Sequence, residues 1–348
     1  MTTGLGFGGT AAGDTLANIE NLVGTQFNDS FIGNNASNDL NGLNGNDILS
    51  GGGGNDTLEG GYGDDILKGG GGADALIGGP GTDTADYSDA PGPVFVDLGN
   101  SAVIIGVIPE NDAKGDTFSG IENITGSAYG DLLIGDGGAN VIQAGGGDDT
   151  LGGLGGNDVL YGGTGNDSYQ VEDPGDVVIE YAGQGFDRVD ALVSYTLAPG
   201  SEVELLETAA GPSSLADINL GGNEFNNTII GNAGNNNIAG GAGQDVLVGG
   251  MGQDFLTGGA GGDVFVWSSI AETQPAGQLA DVVTDFNRLE GDLLAVNQID
   301  ADGNAANGDR PSPSSASSTS PAPTNSPAPA RSGSSPPLPT PSSCSIRW

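Results

Sequence analysis

At every ninth position through three stretches of this 348-residue chain stands an Asp or an Asn, and two residues later comes an apolar side chain. Counted from the first residue of a Gly-Gly-x-Gly-x-Asp-x-Leu-x unit, seventeen units begin at 24, 33, 42, 51, 60, 69 and 78, at 126, 135, 144, 153 and 162, and at 222, 231, 240, 249 and 258. Position six is Asp29, Asp47, Asp56, Asp65, Asp74, Asp83, Asp131, Asp149, Asp158, Asp167, Asp245, Asp254 and Asp263, and in the remaining units Asn38, Asn140, Asn227 and Asn236. Position eight is large in sixteen of the seventeen units, from Phe31, Leu40 and Leu58 to Leu256 and Phe265, with Ala85 the small exception. Carboxylates repeated among glycines form an all-oxygen ligand set suited to a hard cation. Calcium accepts such sets at about 2.3–2.6 Å in flexible geometry, whereas magnesium demands shorter octahedral bonds and keeps its waters. The candidate metal ligands are therefore the thirteen position-six aspartates. Turn carbonyls such as those of Gly52, Gly54, Gly61, Gly63, Gly70, Gly72, Gly163, Gly165, Gly241, Gly243, Gly250 and Gly252 join them.

Elements that position such ligands follow from the same unit. Its Gly-rich half reads as a tight turn, and its last three residues read as a short strand with the middle side chain pointing inward. One unit buries a single Leu or Ile and is not stable alone, but stacked units bury a continuous stripe. Two units make one coil, so units i and i+2 stack about 4.8 Å apart and bring carboxylates eighteen residues apart into close approach. The expected pairs include Asp47 with Asp65, Asp56 with Asp74, Asp65 with Asp83 and Asp245 with Asp263. Pairs that contain an Asn keep an amide oxygen but lose charge, and are expected to bind calcium more weakly.

The units resemble the RTX, or haemolysin-type, calcium-binding repeats of proteins exported by bacterial type I secretion. The resemblance implies an all-β, right-handed parallel β-roll or β-solenoid with several Ca2+ ions between its turns. It also implies an extracellular location, reached through type I secretion machinery, and an uncleaved C-terminal export signal.

Composition narrows the alternatives. Acidic residues number 46 against 7 basic ones, for a net charge of −39, and Arg310, Arg331 and Arg347 are confined to the tail. Such a surface repels nucleic acid and anionic lipid and attracts divalent cations. Low hydrophobicity and 67 glycines imply that the chain struggles to fold without calcium. The chain has no His, which removes His-ligated zinc and Ser-His-Asp or Cys-His catalysis, and a lone Cys344 forms no internal disulfide. The residues after Met1 show no cleaved signal peptide, and no run approaches membrane-spanning length.

Along the chain, residues 1–23 read as a truncated spacer or N-terminal cap. Calcium block one spans 24–86, a β-rich spacer 87–125, block two 126–170, a second β-rich spacer 171–221 and block three 222–266. Each block opens with an aromatic at position four, Phe27, Tyr129 and Phe225, and its first unit is expected to cap a coil stack without a complete turn site. Strands are expected at Val103–Ile105, in Asp176–Tyr181 and in Arg188–Val193. Residues 267–309 resemble the C-terminal cap of serralysin-type proteins. Residues 310–348, rich in Pro, Ser and Ala, read as a disordered tail. A one-base shift over Pro311–Pro321 can turn that stretch into an alternating apolar sequence of the kind a cap needs. The hypothesis that the tail is out of frame is refuted if resequencing finds the present frame intact.

The leading functional expectation is a secreted, non-catalytic protein whose β-roll folds when it meets calcium after export. Two other expectations stand beside it. One is the calcium-binding and secretion region of a larger secreted protease, lipase or polysaccharide-acting enzyme, and the other an adhesive or self-assembling surface protein. Repeated carboxylates serve as ligands far more often than as the paired acid and base of glycoside hydrolysis. The sequence leaves the oligomeric state open.

Overall fold

A computed structural model of the chain describes residues 20–99, 112–209, 211–267 and 280–296, with the backbone of Gly4–Leu5, Thr15–Leu16 and Cys344–Ser345. Among these residues there are strands and turns but no helix. Within a unit, period-two alternation sends positions six, eight and one of the next unit to the same side. Asp47, Leu49 and Gly51 accordingly face inward, while Ile48 and Gly52 face solvent. Every position-eight side chain, from Phe31 to Phe265, is buried.

Consecutive strands go to opposite faces and alternate strands stack in parallel register. Leu49 pairs with Leu67 on one face, and Leu58 pairs with Leu40 and Leu76 on the other. This is the β-solenoid anticipated from the spacing. The strands are longer than the three residues expected: Asp39–Asn44, Ile48–Gly53, Thr57–Tyr62 and Ile66–Gly71 each hold six residues and run into the first three positions of the next unit. Sharp reversal is confined to positions two and four, as at Gly52 and Gly54, both with φ of 103°. Leu43 and Leu154 occupy position two with φ of 78° and 68°, a region that costs an L-residue about 1–2 kcal/mol.

The segments between the blocks belong to the same stack. Thr84–Asp86 pairs directly with Asn123–Thr125, and Ala75–Ile77 with Thr117–Ser119, while Phe95–Asp97, from the segment between them, pairs with Leu132–Ile134. Val177–Ile179 ends the eight-stranded sheet of block two, while Arg188–Ala191 and Leu205–Thr208 carry its other sheet on into block three. One sheet of ten strands thereby runs from Phe95–Asp97 to Leu293–Val296. One hydrophobic cluster extends from Phe31 to Val283. Val282–Val283 and Leu293–Val296 add the last coil, from the segment expected to form the cap. Residues 268–279 and 297–309 of that segment, and the expected strand Val103–Ile105, lie outside the described residues. So does the expected tail, apart from Cys344–Ser345, whose backbone pairs antiparallel with Val282–Val283.

Candidate metal centre

Position six precedes the first residue of each strand, and its inward orientation buries its carboxylate beside the Leu stripe. From Asp29 to Asp263, all thirteen position-six aspartates are at most 6% exposed. Stacking gives one oxygen of each interior carboxylate a fixed partner, the backbone N–H of the position-six residue in the preceding coil. Oδ1 of Asp47, Asp65 and Asp83 accepts from Asp29, Asp47 and Asp65 at 2.7–2.8 Å. Asp56 and Asp74 accept in the same way from Asn38 and Asp56, and Asp149 and Asp167 from Asp131 and Asp149. Asp158, Asp245, Asp254 and Asp263 accept likewise from Asn140, Asn227, Asn236 and Asp245. The carboxylates eighteen residues apart thus form ladders, but the direct link runs from carboxylate to backbone.

The second oxygen is different. Oδ2 of Asp47, Asp56, Asp65, Asp74, Asp83, Asp149, Asp158, Asp167, Asp245 and Asp263 is buried without a hydrogen-bond partner. It occupies the space beside the first glycine of its own unit. A Cβ on Gly51 would meet Asp56 Oδ2 and lie 2.8 Å from the carbonyl oxygen of Gly69. Gly42 has the same relation to Asp47 and Gly60, and Gly240 to Asp245 and Gly258. Position-one glycine is therefore required for space, and its carbonyl in the next coil lies beside the orphaned oxygen. The carbonyls nominated from the sequence lie in the turns, stacked against the same turns of neighbouring coils. Those of Gly52, Gly54, Gly61 and Gly63 abut Gly70, Gly72, Gly79 and Gly81 of the next coil. Those of Gly165, Gly241 and Gly243 abut Gly185, Gly259 and Gly261. Gly163, Gly250 and Gly252 hold equivalent turn positions against Gly145, Asn232 and Gly234 of the preceding coil. The position-one carbonyl is a further candidate that the sequence alone does not suggest, because its glycine reads there as backbone freedom.

Turns that break the repeat satisfy themselves. Asp29 Oδ2 accepts Thr25 N–H at 2.6 Å and the Thr25 hydroxyl at 3.0 Å, and Asp131 Oδ2 accepts Ser127 N–H at 2.5 Å. Asn38, Asn140, Asn227 and Asn236 turn Oδ1 to an N–H of their own turn, at 2.8–3.0 Å. Their amide nitrogens donate to carbonyls of the preceding coil, those of Glu20, Glu122, Val203 and Ile218.

Energetics separates the two kinds of turn. A fully buried Leu stabilises by about 1.5–3 kcal/mol, whereas an ionised carboxylate buried without compensation costs several kcal/mol. An interior unit therefore gains little unless a counter-charge arrives. Burial, reinforced by like charges in the ladder, raises Asp47, Asp74 and Asp83 to about 6 and Asp149 to about 7. Asp158 and Asp245 also rise to about 6. The donor set of carboxylates and carbonyls, with a buried oxygen left open, fits a hard divalent cation.

The ladders also recruit acids outside the nonapeptides. Asp116 accepts from Asp74 N–H at 2.8 Å, Glu122 from Asp83 at 2.8 Å, and Asp176 from Asp158 at 3.1 Å. Asp187, Glu204, Asp281 and Asp292 accept in the same way from Asp167, Asp187, Asp254 and Asp263. The signal that finds them is an acid two residues before an apolar side chain, as in Asp116-Thr117-Phe118 and Asp187-Arg188-Val189, with no glycine needed. Aromatic donors close several of these acids. The Tyr87 hydroxyl donates to Asp116 and Trp267 Nε1 to Asp281, both at 2.7 Å, and the Tyr169 hydroxyl donates to Glu180. Asp167, Glu180 and Asp187 place one oxygen each within 4.8 Å of one another.

A family model, the RTX calcium-binding nonapeptide repeat (4 copies), matches residues 14–49, 50–85, 116–151, 134–169, 221–256 and 230–265. A search of curated proteins finds no match to the chain.

Proposed function

We propose that this chain, whose three blocks are RTX calcium-binding nonapeptide repeats, is a calcium-driven folding module that works outside the cell and is exported by type I secretion. The observation that carries this reading is the contrast between ten buried, unpartnered Asp oxygens and the self-satisfied Asn turns. A calcium-free turn would have no reason to leave the charged member open while closing the neutral one. Without calcium the interior carboxylates repel along each ladder and keep the chain extended, in a form suited to threading a channel. With calcium, each filled site adds about 2.7 kcal/mol at a hundredfold excess over its dissociation constant, and many coupled sites offset the ordering of a glycine-rich chain. Extracellular calcium modules work at dissociation constants of about 10⁻⁴–10⁻³ M. The export assignment rests on the resemblance to secreted RTX proteins. The role is one of binding and folding rather than catalysis.

Far-ultraviolet circular dichroism of the full chain tests the folding reading. The β signal is expected to be weak in EDTA, to appear cooperatively at millimolar calcium, and to change little with the same concentration of magnesium. A spectrum that EDTA leaves unchanged would falsify it.

A further inference from the structure

At the end of block two the interior changes character. The strand Val177–Ile179 pairs with Val159–Thr164, with Ile179 opposite Tyr161, so the next residue, Glu180, falls in the register of Gly162. Inside the nonapeptide blocks that position is Gly, or Ala at Ala144, and its backbone carbonyl lies beside the neighbouring slot, as for Gly60 and Gly69. Here it contributes a carboxylate: a Cβ on Gly162 would meet Asp167 Oδ2, Glu180 Oε1 and the Tyr169 hydroxyl. Asp167, Glu180 and Asp187 are 1%, 0% and 1% exposed, and one oxygen of each lies within 4.8 Å of the others. Asp167 Oδ2 and Glu180 Oε2 are buried without a hydrogen-bond partner. Arg188, next to Asp187, does not neutralise the cluster, because its guanidinium turns outward to Asp190 and Glu207.

Three carboxylates this close in a dry interior cannot all stay ionised without a counter-charge. Oxygens held within 4.8 Å of one another can ligate a single cation, and an all-carboxylate set suits a hard divalent ion that accepts flexible geometry, as calcium does at about 2.3–2.6 Å. We propose that Asp167, Glu180 and Asp187 bind a calcium-class divalent cation in a carboxylate-rich site that no nonapeptide encodes, with Tyr169 as the positioning residue for Glu180. With three carboxylates, this site binds more tightly than the turn sites, since ligand charge sets affinity. It also staples two sheets. Glu180 follows the last strand of the eight-stranded sheet, while Asp167 and Asp187 precede neighbouring strands of the ten-stranded one. The proposal goes beyond the turn-site reading, because Glu180 belongs to no repeat unit.

The test uses the full chain, calcium for stoichiometry and terbium as the luminescent probe. Wild-type protein is expected to keep one tightly held equivalent after a chelator wash that strips the turn sites. Glu180→Gln should lose that equivalent, together with the share of tyrosine-sensitised terbium emission that Tyr169 supplies. Tyr169→Phe should lose the same share of emission and weaken the tight site by about 10–100-fold, with the circular dichroism response to calcium intact. Glu59→Gln, at an exposed acid outside the ladders, should keep both the tight equivalent and the emission. Equal counts and equal emission in wild type and Glu180→Gln would overturn the proposal. So would a Tyr169→Phe variant that folds with wild-type emission, a readout available even if Glu180→Gln does not fold. Loss of the calcium response in wild type would instead count against the folding reading.

Discussion

The opening turn at 24–32 and the interior turns from 42 to 86 share the same acid at position six, yet their chemistry differs. In the opening turn Thr25 stands at position two, and its N–H and hydroxyl take both bonding directions of Asp29 Oδ2. In the interior the corresponding oxygens of Asp47, Asp65 and Asp83 meet no donor. Ser127 closes Asp131 at the start of block two in the same manner. A shared motif therefore does not give every turn the same environment for its acid. A Thr or Ser at position two supplies the donor that Asp29 and Asp131 use, whereas Gly or Leu at that position leaves the interior acid without one.

The largest expected effect of this difference is collective and appears with pH. Burial raises the interior carboxylates above their ordinary 3.8, to about 6 for Asp47, Asp74 and Asp83 and to about 7 for Asp149. A raised value means that the folded form holds more protons. The stability they contribute to the metal-free fold is full below about 3.8 and is lost as pH rises through about 6–7. In calcium-free buffer the β signal is thus expected to grow as pH falls from 8 towards 5, while calcium affinity falls over the same interval because protons compete for the same oxygens. A metal-free signal that grows instead towards pH 8 would break the comparison.

Next in size is a pair of substitutions. Asp65→Ala removes an orphaned oxygen from its own slot and the acceptor for Asp47 N–H in the preceding coil. It should lower calcium stoichiometry and cost the calcium-loaded fold about 3–5 kcal/mol, as for a broken buried charge pair. Asp29→Ala removes a local turn acceptor and should cost about 1 kcal/mol, like the loss of a cap, with stoichiometry unchanged. Isothermal titration calorimetry and denaturant melts read both, and equal effects of the two variants would show that opening and interior turns are equivalent.

A smaller change sharpens the contrast from the other side. Asn236→Asp exchanges an amide that donates to Ile218 at 2.7 Å for an acid that does not. The metal-free form should lose about 1–3 kcal/mol, the cost of an unsatisfied buried group, and calcium should restore it by filling a new site. A variant that melts like wild type in EDTA and gains no calcium would show that amide turns are not closed.

Sequence carried most of the repeat architecture because its information is local. Asp at six and Leu at eight lie on one side of any extended chain, so the inward acid, the Leu stripe and the stacking of units i and i+2 followed from spacing alone. The extent of the strands was less legible, since glycine composition does not tell the positive-φ positions, Gly52 and Gly54, from Gly51, which is kept small by a carboxylate. Phe27, Tyr129 and Phe225 marked the opening units, but the residues that close the first two carboxylates, Thr25 and Ser127, stand at position two.

What the sequence determined by itself, then, was a solenoid with an acid ladder and the class of ion that such a ladder takes. Only the tertiary structure decided which acids lack a partner and which join from outside the repeats. Asp116 meets Asp74 across 42 residues and Glu122 meets Asp83 across 39, where a nonapeptide register expects 18. Asp187 reaches Asp167 across 20 residues, and Glu180 joins that cluster from a position where the repeat has a glycine. The reason is physical. A side chain's orientation follows from its own strand, but whether its charge is answered depends on the coil stacked against it, and loops of variable length set which residue that coil presents.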